Sequence, residues 1–285
     1  MAFINYLIHL AILVCIYSIL TISLNWAVGF TGLLNLGHVG FFGIGAYASA
    51  LLVMNGFPVW LGLLFGALFA LVFGCLLALP TARLKGDYLA LATLGFAFIM
   101  GSVARNWTSL TRGALGIPGI PKIVKGNFEF LVIVFIIAVV VYLIFWRLSR
   151  SRFGKVCESV RDDELAAKTL GKDTFVHKIF ALGISAFFAG LAGGLFAHYI
   201  TFIDPSIFGL GDLILLFSML IVGGLASVKG SAIGTLIIFL LPEPLRFIGF
   251  PSSVLGPMRE IIFALILLLI LIYKPRGVFG KVDLS

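Results

Sequence analysis

Charge is what this chain has least of. Asp, Glu, Lys and Arg make up 11% of its 285 residues against 61% hydrophobic residues, and none of the four occurs before Arg83. A water-soluble domain of this length cannot hide so much apolar surface, so the composition places the chain in a membrane. Further charge-free runs cover 88–104, 130–146, 179–203 and 213–228, and their lengths bracket the roughly 20 residues that a spanning helix needs. Basic residues are also missing ahead of the first apolar run, where a cleaved signal peptide would carry them, so that run is read as a retained helix. Cysteine is scarce: Cys15 and Cys75 lie inside predicted spans and Cys157 in a basic segment, which argues against a disulfide framework.

Several chemistries lack their residues as well. His9, His38, His177 and His198 are the four histidines, and they show no metal-site spacing. There is no HExxH or GxSxG motif to support an intramembrane enzyme, and no GxxxxGK[ST] phosphate loop with which the chain itself would bind ATP. An ion-driven secondary transporter would display acids within its spans, whereas Asp204 and Asp212 flank a predicted external turn. No metal or redox cofactor is suggested, and the net charge of +8 reports basic cytoplasmic loops rather than a nucleic-acid surface.

What is present is a series of apolar runs separated by breakers. They predict spans near 4–24, 30–54, 58–79, 88–105, 129–146, 178–200, 210–228, 231–248 and 257–273, nine give or take one. The fold class is therefore an all-α polytopic transmembrane bundle of eight to ten spans, forming one domain over 1–285. Segment 147–178 holds 8 of the 20 basic and 5 of the 12 acidic residues, so the positive-inside tendency makes it a cytoplasmic loop. Four spans follow, which puts the C-terminal tail in the cytoplasm too, with Lys274, Arg276 and Lys281 in agreement. Counting backwards puts the 106–126 loop and the N-terminus outside.

Segment 28–54 is apolar enough for a bilayer yet carries Gly29, Gly32, Gly37, Gly40, Gly43 and Gly45. Each glycine weakens a helix by about 1 kcal/mol relative to alanine, so a simple anchor would not be built this way. The segment is read as an interrupted helix that lines a translocation path, with Gly32, Asn35, Gly37, His38 and Gly40 at the break. His38 either faces the path or is bonded to a neighbouring carbonyl. Gly-rich turns into helix recur in GLLNLGHVGFFGIGAYASALL and GLASVKGSAIGTLIIFLL, a weak internal-repeat signal. In the sixth span Ser185, Ala189, Gly193 and Ala197 recur every four residues, a spacing that lets helices approach closely. Asp87 is read as an interfacial N-cap of the fourth span.

The cytoplasmic segment contains its own small helix. Asp162 or Asp163 caps its start, Glu164 and Lys168 pair at i,i+4, and Gly171 stops it. Leu165, Ala166, Ala167 and Leu170 form its apolar surface. Two turns are too short to persist alone, so the helix needs a docking partner.

GFTGLLNLGHVGFFGIGAYASALL, LKGDYLALATLGF, LTRGALGIPGIP, SVRDDELAAKTLG, SAFFAGLAGGLFA, IVGGLASVKGSAIGT and KPRGVFG together resemble, in order and spacing, the permease subunits of ABC importers for branched-chain amino acids, specifically the LivM branch. The resemblance implies a non-enzymatic permease of a prokaryotic cytoplasmic (inner) membrane. It would pair with a second related permease, two cytoplasmic ATPase subunits and an external solute-binding protein, for branched-chain or related amino acids, urea or amides. It also implies that Asp162 to Gly171 is the ATPase-coupling helix, where Ala166, Ala167 and Gly171 keep the family's EAA-type spacing. Leu165 stands where that pattern has glutamate, and Glu164 lies one place earlier.

Overall fold

The computed structural model of the chain describes residues 2–84, 86–241 and scattered positions between 261 and 280. It is an all-α polytopic membrane bundle. In chain order the helices are α1 (Ala2–Asn25, continued by a π-helical turn Trp26–Phe30), α2 (His38–Met54), α3 (Val59–Thr81), α4 (Asp87–Asn106), α5 (Thr108–Thr111), α6 (Asn127–Arg150), α7 (Arg152–Asp162), α8 (Glu164–Thr169), α9 (Thr174–Ile200), α10 (Leu210–Gly223) and α11 (Val228–Leu240). Five described helical stretches are long and apolar enough to cross a bilayer, namely Ile4–Phe30, α3, α4, α6 and α9, and α2, α10 and α11 are shorter apolar helices. Most of the predicted span 257–273 and the end of 231–248 lie outside the described residues.

α9 is the centre of the bundle, and α2 and α3 pack on it through surfaces with almost no side chain. A Cβ on Gly45 would collide with the Gly190 backbone, and one on Gly193 with the Phe42 carbonyl. With no hydrophobic drive between helices in lipid, close backbone approach of this kind supplies the packing energy. The small-residue stripe of the sixth span is thus internal packing. α4 and α6, by contrast, turn most of their apolar surface outward.

Contacts between loops sort the two ends. At one end the Arg161 guanidinium donates to the Gly29 carbonyl (2.8 Å), the Lys178 ammonium to Ala82 O (3.2 Å), and the Val278 amide to Val222 O (2.9 Å). At the other, a two-residue ladder joins Ile117–Pro118 to Phe202–Ile203, and His198 bonds the Pro121 carbonyl. The basic segment, the turn after α3 and the 277–280 segment therefore share one face, as the charge count expects.

Four expectations need correction. The 30–54 span is helical only from His38, because 31–37 is irregular. The 210–228 span stops at Gly223, where Gly224 adopts a φ of 103°. Asp87 is the first residue of α4 rather than its cap, which is Gly86; a carboxylate there still favours the positive helix end. The 147–178 loop is mostly helix: α6 runs on to Arg150, and α7, α8 and the start of α9 occupy nearly all of the rest. Cys15, Cys75 and Cys157 are free thiols.

Candidate functional site

The interruption after α1 is built from polar side chains that take over backbone partners. Gly32, with φ at 73°, closes the π turn: its amide reaches Val28 O at 3.1 Å and the Leu33 amide reaches Ala27 O at 2.9 Å. Such left-handed terminal closures satisfy helix-end carbonyls. Further along, the Thr93 hydroxyl of α4 accepts the Leu36 amide (3.0 Å), and Asn35 Oδ1 accepts the Gly37 amide (3.0 Å). The break lies towards the basic end, where Arg161 reaches Gly29 O, and protein groups satisfy its backbone.

His38 and Asn35 are both fully buried. His38 Nε2 lies 3.0 Å from Ser23 Oγ and 3.2 Å from the Leu20 carbonyl, while Nδ1 lies 3.4 Å from Asn35 Nδ2. Of the two readings of His38, the geometry matches the carbonyl-bonded one: the ring ties the start of α2 to α1. Gly37 and Gly32 are packing positions as well. A Cβ on Gly37 would run into the Thr93 carbonyl, and one on Gly32 into the Arg161 side chain. Gly32 is exposed beside that side chain, whereas Gly40 is buried and borders a cavity. With Gly43, Tyr47, Phe73, Trp107 and Phe208 it lines a mostly apolar cavity of about 420 Å³ between α2, α3 and α4.

A second polar anchor at the break escaped the sequence reading. Asn25, completely buried, donates through Nδ2 to Gly224 O (3.2 Å), Ser227 O (3.1 Å) and Ser231 Oγ (2.6 Å), and accepts from the Ala226 amide (3.0 Å). It sews the π turn to the loop between α10 and α11. Ser227 caps α11 by accepting the Gly230 amide at 3.0 Å. An asparagine inside an otherwise apolar run was the available signal.

The short helix α8 forms within the segment where the sequence places it. Asp163 is the N-cap, its Oδ1 accepting the Leu165 (2.8 Å) and Ala166 (3.0 Å) amides. Asp162 belongs instead to the last turn of α7, where Arg161 binds it at 2.7 Å, so it is not part of this helix. Gly171, at φ 75°, follows the C-cap Leu170. Glu164 meets Lys168 at 3.0 Å as expected, but also Lys178 of α9 at 2.8 Å. Burial alone would push the Glu164 carboxyl up; hydrogen bonds and charge from Lys178 and Lys168 outweigh it and hold the group at about 2. The apolar surface divides: Ala167 is buried against the chain itself, leaving Leu165, Ala166 and Leu170 exposed. The buried Lys178 ammonium links α8, α9 and the end of α3.

Residues 6–271 match the family described as branched-chain amino acid transport system / permease component. The chain is 33% identical to the high-affinity branched-chain amino acid transport system permease protein LivM of Escherichia coli (strain K12), over 95% of this chain and 69% of that protein. It is 29% identical to the probable branched-chain amino acid transport permease protein LivM of Methanocaldococcus jannaschii, over 93% and 91% respectively. The high-affinity branched-chain amino acid transport system permease protein LivH of Escherichia coli (strain K12) is 26% identical, over 94% and 92%. With the family matched over nearly its whole length and a membrane bundle to carry it, the chain belongs to the branched-chain amino acid ABC transport permeases.

Proposed function

We propose that the chain is the inner-membrane subunit of an ATP-driven importer for branched-chain or related amino acids. It forms half of the translocation path beside a second, related permease, receives solute from an external binding protein, and couples to two cytoplasmic ATPase subunits. Urea or amides are the alternative cargo. The observation that carries this reading is α8: a capped, six-residue helix on the basic face, clamped to the bundle through Glu164, that offers Leu165, Ala166 and Leu170 to solvent. So short a helix does not persist without tertiary support, and a clamped apolar knob outside the bilayer suits a groove on a soluble partner. Gly40 and the cavity beside it supply room for solute at the junction of α2, α3 and α4.

The test is Leu165→Asp combined with Leu170→Asp. Both side chains are exposed, so insertion and folding should be unchanged, whereas the ATPase subunits should no longer co-purify and solute uptake should fall to background. Retention of the ATPases with parental transport-stimulated hydrolysis would remove α8 as the docking element. Ala166→Trp is a second probe on the same surface; Ala167→Trp is not, because it would overfill the chain's own packing.

A further inference from the structure

A further cavity lies away from α8, with Phe30 at the end of the π turn among its lining residues. It measures about 280 Å³ and opens on the basic face, between the last turn of α6, the first turn of α7 and the loop into α11. Arg150, Lys155 and Lys229 contribute three cations to its wall, with Trp146, Ser149 and Ser227, and no carboxylate lines it. Lys155 is paired with Glu158 at 2.7 Å. Among the described residues, Arg150 and Lys229 have no acidic partner; the Arg150 guanidinium lies 4.0 Å above the Trp146 ring instead.

The surface leading to this cavity changes character along one face of α6. Val139, Leu143, Trp146 and Arg150 follow each other at steps of four, three and four residues, which keeps them on one side of a helix. Val139 and Leu143 are exposed, as lipid-facing residues are, Trp146 is an aromatic of the kind found at headgroup depth, and Arg150 ends the row. Hydrocarbon, interface and cation thus succeed one another towards a pocket in which Arg150 and Lys229 have no acidic partner among the described residues.

We propose that this cavity binds the phosphate headgroup of an anionic phospholipid of the cytoplasmic leaflet, with an acyl chain lying along Val139 and Leu143. Arg150 and Lys229 hold the phosphate oxygens, Ser149 and Ser227 border them, and the Trp146 ring covers the glycerol region. A bound lipid would bridge α6 and α7 to the α10–α11 loop, the loop that Asn25 ties to the π turn. A free phosphate has the same headgroup chemistry but no chain to lie on α6, so the apolar half of the surface decides for the lipid.

The experiment is native mass spectrometry of the purified full chain, titrated in detergent with phosphatidylglycerol or phosphatidylcholine. Each cation near a membrane surface attracts an anionic lipid by about fivefold, so Arg150→Gln with Lys229→Gln should weaken phosphatidylglycerol retention by about 30-fold. Leu143→Asn should weaken it too, and Lys125→Gln in the opposite loop should not. Should the double variant fail to insert, Lys229→Gln alone, an exposed position, should still show about a fivefold loss. Equal retention of the two lipids, or parental retention by the cation variants, overturns the proposal. So does full displacement by millimolar glycerol phosphate with Leu143→Asn binding as the parent, which would make the cavity a soluble-anion site.

Discussion

Lys178→Met should loosen α8 without disturbing the bundle. In the parent, the Lys178 ammonium lies 2.8 Å from Glu164 Oε2 and 3.2 Å from the Ala82 carbonyl, with the two paired side chains 7% and 15% exposed. Breaking a fully buried pair costs about 3–5 kcal/mol, and an exposed pair contributes about 0–1 kcal/mol. Glu164 keeps Lys168 as a second partner, whose side chain is 52% exposed, so an intermediate loss of about 2 kcal/mol is expected, a factor of about 30 in the docked population. Methionine retains the aliphatic stem, so α9 should insert as before. Hydrogen–deuterium exchange reads the effect at the amides of Leu165, Ala166, Ala167, Leu170, Gly171 and Lys172, all bonded within the α8 cap and turns. Exchange there should accelerate about 30-fold in detergent-purified protein, while Lys168→Met should change it about twofold. If Lys178→Met leaves these amides within twofold of the parent, the clamp is not what holds α8, and the geometric basis for transmission from α8 to α3 and α9 fails. The same pair fixes a pH dependence. Glu164 is held at about 2 against an ordinary 4.5, so its contribution is whole above about 4.5, declines as pH falls, and is lost through about 2; exchange at pH 6 and 8 should report equal protection after correction for intrinsic rates.

Gly193→Val should destabilise the bundle by at least about 3 kcal/mol, because any Cβ there meets the Phe42 carbonyl; Gly95→Val, with nothing within 4 Å of its Cβ, should leave the detergent melting temperature unchanged, and equal temperatures for the two would refute the α2–α9 close approach. Asn25→Leu should cost about 1–3 kcal/mol by stripping the Ala226 amide and the Gly224 carbonyl of their partner, seen as a lower melting temperature and faster exchange at Ala226. Ser227→Ala should cost about 1 kcal/mol through loss of the α11 cap, with exchange rising at Gly230 and not at α2. In an otherwise Cys-free chain, a cysteine at 168 should label from the cytoplasmic side and one at 116 from the outside; labelling of both from one side would break the span assignment.

Features that depend on neighbours within a few turns are legible in the linear chain. Low charge and the length of the apolar runs identify a membrane bundle; the aspartate–glutamate–lysine–glycine order around Asp163, Glu164, Lys168 and Gly171 writes a capped and terminated helix; the glycines of 28–54 mark a break. Each follows from local hydrogen bonding, i,i+4 pairing or backbone freedom, which a linear reading contains. Tertiary structure decided which groups satisfy that break and which faces remain free. Asn25 finds its partners some 200 residues away, Lys178 reaches back 96 residues to Ala82, and His38 turns to Ser23 and Leu20 rather than towards open space. Ala166 and Ala167 are chemically identical and adjacent, yet one is exposed and the other buried, because a helix presents successive residues about 100° apart and only the docking of α8 on the bundle sets which side is inward. Burial of a polar group in a membrane must be matched by a partner, and the identity of that partner is a property of packing.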